Sequence, residues 1–161
     1  MSKADELAAK LKDIQKTGAD ATTAADQAID SWPGQVYAMY HQIESWLQPL
    51  TEAGLTLRRN PTHVFERHPD GATYAYAIDQ LLIEGNHHGI AFVPIVRFTA
   101  DGAGRVEIHL KGKEIPLLRT VNEHGESQWW LQSIEQSGQQ PDAVALTEVN
   151  LLSVVQEGLD L

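Results

Sequence analysis

Residues 105–110 read RVEIHL, and all six positions alternate. Val106, Ile108 and Leu110 fall on one side, and Arg105, Glu107 and His109 on the other. A period of two with one greasy side is the signature of a strand with one buried face. Turn signals flank it: Asp101-Gly102-Ala103-Gly104 before, and Lys111-Gly112-Lys113 after. Short turns between strands favour antiparallel neighbours, so this stretch predicts a meander.

The pattern extends in both directions. Ile90 to Phe98 is apolar on both faces, which predicts a central strand covered on both sides. Pro94 conflicts with that position because it has no N–H for the ladder, so a bulge or a local edge is expected there. Thr73 to Glu84 is a long strand. Its alternation slips at Asp79-Gln80, which predicts a bulge. Gly85-Asn86-His87-His88-Gly89 is its hairpin loop, and His68-Pro69-Asp70-Gly71 is a type I turn before it. Leu55 to Arg59 and Thr62 to Arg67 read as two strands separated by Asn60-Pro61. Glu114 to Val121, with Pro116 favouring an edge, and Ser127 to Ile134, carrying Trp129 and Trp130, complete six or seven strands. Successive side chains alternate, so the two indoles take opposite faces, one in the core and the other either anchoring an interface or buried under the final helix.

Helices stand at the two ends. Ser2 caps a first helix in which Leu7, Leu11 and Ile14 form a narrow stripe, and Thr17-Gly18 ends it. Residues 19–31 form a second, marginal helix. Residues 1–31 therefore read as a loosely docked helical arm or as an element that pairs with a partner's helix. Pro33 suits a first helical position, and Val36, Tyr40, Ile43, Leu47 and Leu50 follow at steps of three and four. Helix 33–48 is expected to pack on the sheet, and Pro49 to end or kink it. Residues 135–145 read as a loop. Thr147 caps a last helix with Val149, Leu152, Val155 and Leu159 on one face. The expected fold is α+β in one domain over 1–161: N-terminal helices, a mostly antiparallel sheet, and a C-terminal helix, with the helices on one face of the sheet.

The 161 residues contain 12 bases and 22 acids, a net charge of −10, and no cysteine. Disulfides, thiolate metal sites and cysteine nucleophiles are thereby excluded. Residues 120–161 hold seven acids and no Lys or Arg. Such a surface repels phosphate backbones and anionic membranes and steers a basic protein partner. The expectation is a cytoplasmic protein with a protein partner, no nucleic acid, no membrane and no cofactor, and with homo-oligomers open. In size, acidity, lack of cysteine and α+β layout the chain is generically similar to small bacterial proteins that bind another protein, such as immunity proteins and secretion chaperones. That likeness is one of class, carried by no motif.

No nucleophile elbow, phosphate loop or dinucleotide fingerprint is present. The catalytic candidates are Asp79, His63, His109 and Tyr76, with Arg97 as the expected partner of a buried Asp79. For a metal the candidates are His63, His87, His88 and His109, with Glu84 or Glu107 as carboxylate ligands. Arg58-Arg59 is too small a basic spot for nucleic acid and reads as salt-bridged surface. Two functions follow. The first is a non-enzymatic protein-binding module, immunity-, chaperone- or adaptor-like, using Trp130, Glu123, Glu126, Glu135, Glu148 and Glu157. The second is a small-molecule-binding or metal-dependent enzyme with a His/Asp pocket between the sheet and helix 33–48.

Overall fold

The structure, a computed structural model, describes residues 3–99, 103–132 and 143–161, with the side chains of 11–23 outside that description. The chain runs α1 (Lys3–Trp46), α2 (Gln48–Glu52), β1 (Thr56–Arg67), β2 (Thr73–Gly85), β3 (His88–Val96), β4 (Arg105–Leu110), β5 (Lys113–Val121), β6 (Ser127–Gln132), β7 (Ala143–Ala145) and α3 (Glu148–Gly158). The seven strands form one antiparallel sheet in sequence order. The α+β layout expected from the sequence is the observed one, with helices before and after an antiparallel meander.

The core lies between one face of this sheet and the helices. Ile83, Ile90, Phe92, Val106, Ile108, Leu110, Leu117 and Leu131 project from the sheet, and Trp32, Val36, Tyr40, Ile43 and Leu47 from the helical side. Leu151, Val155 and Leu159 complete it from α3 and its end. Tyr40 fastens α1 to the sheet: its hydroxyl donates to the Asp79 carbonyl at 2.9 Å, and the Asp79 N–H donates to the Tyr37 hydroxyl at 2.9 Å.

Several expectations are corrected. The three N-terminal helices are one, 44 residues long, passing through both Gly18 and Pro33. Ile29 and Trp32 are buried just ahead of Pro33, and packing of this kind outweighs local helix propensity. At 1.5 Å per residue α1 is about 65 Å long, roughly twice the width of seven strands. From Lys3 to Lys10 every side chain is exposed. The expected positions Leu11 and Ile14 lie outside the described side chains.

Residues 55–59 and 62–67 are not two strands. β1 continues through Pro61 because it is an edge strand, where a missing N–H breaks no ladder. The phase slip in β2 is real, but it is not a bulge. Pairing with β1 is unbroken from Thr56↔Glu84 to Arg67↔Thr73, while pairing with β3 stops at Leu81↔Phe92. Beyond that point β1 and β2 form a two-stranded ribbon, which can twist more than a sheet interior. Its Val64, Tyr76 and Ile78 pack on the core although they alternate out of phase with Leu81 and Ile83.

The bulge expected at Pro94 is present as a register shift between Pro94 and Val96, and Pro94 also lacks a β2 neighbour. Pro116 similarly lies just outside the β5–β6 ladder, which begins at Leu117. The expected loop 135–145 ends in strand β7, and residues 135–142 lie outside the described residues. In α3 the buried positions are Leu151, Val154, Val155 and Gly158, whereas the expected Val149 is 73% exposed. No described helix is long and apolar enough to cross a membrane.

One expectation about β3 fails in an informative way. Its Ile90, Phe92 and Pro94 are buried, but Ala91, Val93 and Ile95 on the alternate face are only half-buried. Among the described residues, no helix covers that second face.

Candidate functional site

The helix-free face of the sheet can be assembled row by row from the register. Leu82 pairs with Ala91, Ala91 with His109, and His109 with Glu114. Val93 pairs with Glu107, and Glu107 with Pro116. Arg105 pairs with Leu118, Leu118 with Trp130, and Trp130 with Ala145. Directly opposed residues share a face. The face is thus apolar on both flanks, with Leu82, Ala91 and Val93 on one side and Pro116, Leu118 and Trp130 on the other. A band from β4 and the start of β5 carries the charge.

Glu107 is central in that band. One carboxylate oxygen accepts from Arg105 at 2.7 Å, and the other lies 3.4 Å from His109 Nε2. Burial by itself would raise this carboxyl, but hydrogen bonds from Arg105 and His109 outweigh it and hold the group below the ordinary carboxylate range. Glu107, His109 and Glu114 each offer a ligand atom within 4.8 Å of the others.

The two adjacent tryptophans divide as their alternation requires. Trp129 turns to the helical side and stacks on Trp32, with ring centroids 5.9 Å apart. Trp130 stays on the helix-free face and donates its indole N–H to the Thr120 hydroxyl at 2.8 Å.

The other sequence candidates are scattered. His63 and Asp79 lie on alternate positions of the ribbon from Tyr76, so Tyr76 faces away from them. His109 is two strands from β2, across β3. His87 is exposed in the β2–β3 turn and His88 at the start of β3, away from Glu107, and Glu84 is engaged by Arg58. Arg97 is not the partner of Asp79; it belongs to a different cluster around Glu66. Between the sheet and residues 33–48 the core side chains named above leave a cavity of about 260 Å³, lined by Met39, Gln42, Trp46, Trp129 and Leu146 among others, and none of these histidines, nor Asp79, lines it.

Of the acids proposed for a partner, Glu157 pairs with Lys113, and the neighbouring Asp160 pairs with Lys111 at 3.2 Å. Glu123 and Glu126 sit exposed in the β5–β6 turn, and Glu148 is exposed in the first turn of α3. None of these three has an ion-pair partner among the described residues. Glu135 lies outside them. Arg58 and Arg59 are salt-bridged surface, to Glu84 and Glu44 respectively, each at 2.6 Å.

A buried polar cluster was missed by the sequence reading. Glu66 is only 8% exposed. Its carboxylate accepts from the Tyr76 hydroxyl, from the Arg97 N–H at 2.9 Å and from the Phe98 N–H at 3.1 Å. Burial and then the Glu66 carboxylate hold the Tyr76 phenol far above its ordinary value. The Trp32 indole N–H faces the same hydroxyl without reaching hydrogen-bond geometry. The cluster joins the far end of the β1–β2 ribbon to the end of β3, so its role is a clasp. The signal available in the sequence was a glutamate in phase with Val64 on an otherwise half-apolar strand. Its partners lie some thirty residues away in the chain, at Arg97 and Phe98.

No protein-family model, no curated protein and no solved structure matches the chain.

Proposed function

We propose that this chain is a non-enzymatic, cytoplasmic protein-binding module of the immunity-, chaperone- or adaptor-like kind, and that it docks its partner on the helix-free face of the sheet. The observation that supports this most is the apolar surface formed by Leu82, Ala91, Val93, Pro116, Leu118 and Trp130, over which no described helix lies. Two apolar flanks on either side of a charged band offer the mixture of apolar area and polar contacts that interaction surfaces combine. Trp130 supplies an amphipathic anchor of the kind that dominates binding energy. Glu123 and Glu126 in the adjoining turn, which have no ion-pair partner among the described residues, favour a partner with basic side chains, within a chain of net charge −10.

The test is affinity capture from lysate with four baits in parallel: wild type, Trp130→Ala, Val93→Lys, and the double variant Glu123→Lys/Glu126→Lys. The reading predicts a partner held by the wild type. Trp130→Ala and Val93→Lys should release it, while the double variant should weaken it most at low salt, since rim charges act mainly through screened steering. Equal retention by all four baits would contradict the proposal.

A further inference from the structure

We propose that Glu107, His109 and Glu114 form a binding site for a divalent first-row transition-metal ion. The three donors are one imidazole nitrogen and two carboxylates, all within 4.8 Å of one another. That is a mixed set suited to zinc, cobalt, nickel or manganese and poorly suited to calcium, which prefers oxygen throughout.

The placement follows from the hairpin. Glu107 and His109 are two apart on β4, so they share a face, and Glu114 is the direct cross-strand partner of His109. The register is pinned close by. Leu110 pairs with Lys113 across a two-residue turn, Lys111-Gly112, in which both φ angles are positive, 47° and 75°. That is a type I′ connection, whose twist matches its strands. The donors therefore stand on a rigid ladder instead of a loop, which favours a defined site.

The neighbours of Glu107 hold it in place. Arg105 engages one oxygen of Glu107 and fixes the carboxylate, leaving the other oxygen turned toward His109. An outer partner of this kind orients a ligand for metal. The apolar Val93 and Pro116 are the cross-strand neighbours of Glu107 and limit its solvation, while Glu114 stands exposed opposite His109. Three protein ligands leave the remaining coordination positions to water or to a group from outside.

The probe is Co²⁺, titrated into the full chain and followed by its visible ligand-field bands, with Zn²⁺ as competitor. One saturable equivalent is expected. His109→Ala and Glu114→Gln should each weaken binding by roughly ten-fold or more, on the scale of losing a metal-site contact. His88→Ala and Glu123→Gln, remote exposed residues, should leave it unchanged. Histidine side-chain NMR of the unsubstituted protein provides a second reading: Zn²⁺ should shift the ring nitrogens of His109 before those of any other histidine. Failure of the wild type to saturate, a first shift at a different histidine, or loss of binding in His88→Ala with retention in His109→Ala would each overturn the site. The test involves no protein partner, so it stands or falls independently of the docking surface.

Discussion

The six-membered ring of Trp32 occupies the space that a side chain on residue 104 would need. A Cβ built on Gly104 falls 2.3 Å from Trp32 Cζ3 and 2.4 Å from Cη2, and the residue has φ +137°. Trp32 is fully buried and stacks on Trp129. The glycine thus lets the segment leading into β4 lie flat against the indole that joins helix to sheet.

Gly104→Ala should therefore be among the most damaging small substitutions in the chain. It combines an unfavourable backbone conformation with overpacking of a rigid ring, together roughly 3 kcal/mol or more. Urea unfolding measures the loss. A change below about 1 kcal/mol would show that the Trp32 ring can move aside.

The tyrosine that clamps α1 to the sheet makes stability fall at alkaline pH. Burial holds the Tyr40 phenol well above its ordinary value of 10.0, with Arg59 opposing in part. As the pH passes 10, the unfolded chain loses this proton while the folded chain keeps it. The folded state then binds more protons, so stability decreases as pH rises, and below about pH 9 the effect is absent. The slope approaches about 1.4 kcal/mol per pH unit for one such group. Tyr76, raised in the same sense, adds a slope of its own, so urea unfolding between about pH 8 and about pH 11 should show a steeper fall in the wild type than in Tyr40→Phe. Equal slopes in the two proteins would contradict the assignment.

Pro33 interrupts a helix that nonetheless continues. A proline inside a helix removes one hydrogen bond and costs about 3 kcal/mol relative to alanine. The carbonyl of Ile29, four residues earlier, loses its donor. Pro33→Ala should therefore raise stability by roughly 1–3 kcal/mol, seen as a higher urea midpoint at constant slope. A lower midpoint would mean that a bend at Pro33 is needed to seat Trp32.

What could be read from the sequence depended on how local the cause was. The alternation of 105–110 and the stripe from Val36 to Leu47 reflect burial of one face of one element, and both recur in the structure. Pro33 and Pro61 misled because each rule about proline assumes a missing neighbour has a price that nothing else meets. At Pro33 the flanking Ile29 and Trp32 are anchored in the core, and at Pro61 the strand has no second neighbour. In the site, His109 and Glu107 were legible as solvent-side residues of one strand, whereas Glu114 required the hairpin register. Glu66 was out of reach because its donors arrive from Tyr76, Arg97 and Phe98 across the β1–β2 ribbon and the end of β3.

One face of the sheet is packed under the helices, and over the other no described helix lies. Val93 and Ile108 sit on adjacent strands and face opposite ways. The most direct measurement is the urea-unfolding free energy of Val93→Lys beside that of Ile108→Lys. Val93→Lys should stay within about 1 kcal/mol of the wild type, while Ile108→Lys should lose more than about 4 kcal/mol or fail to fold. Comparable loss in both variants would show that the second face is covered, and the docking surface would have to be abandoned.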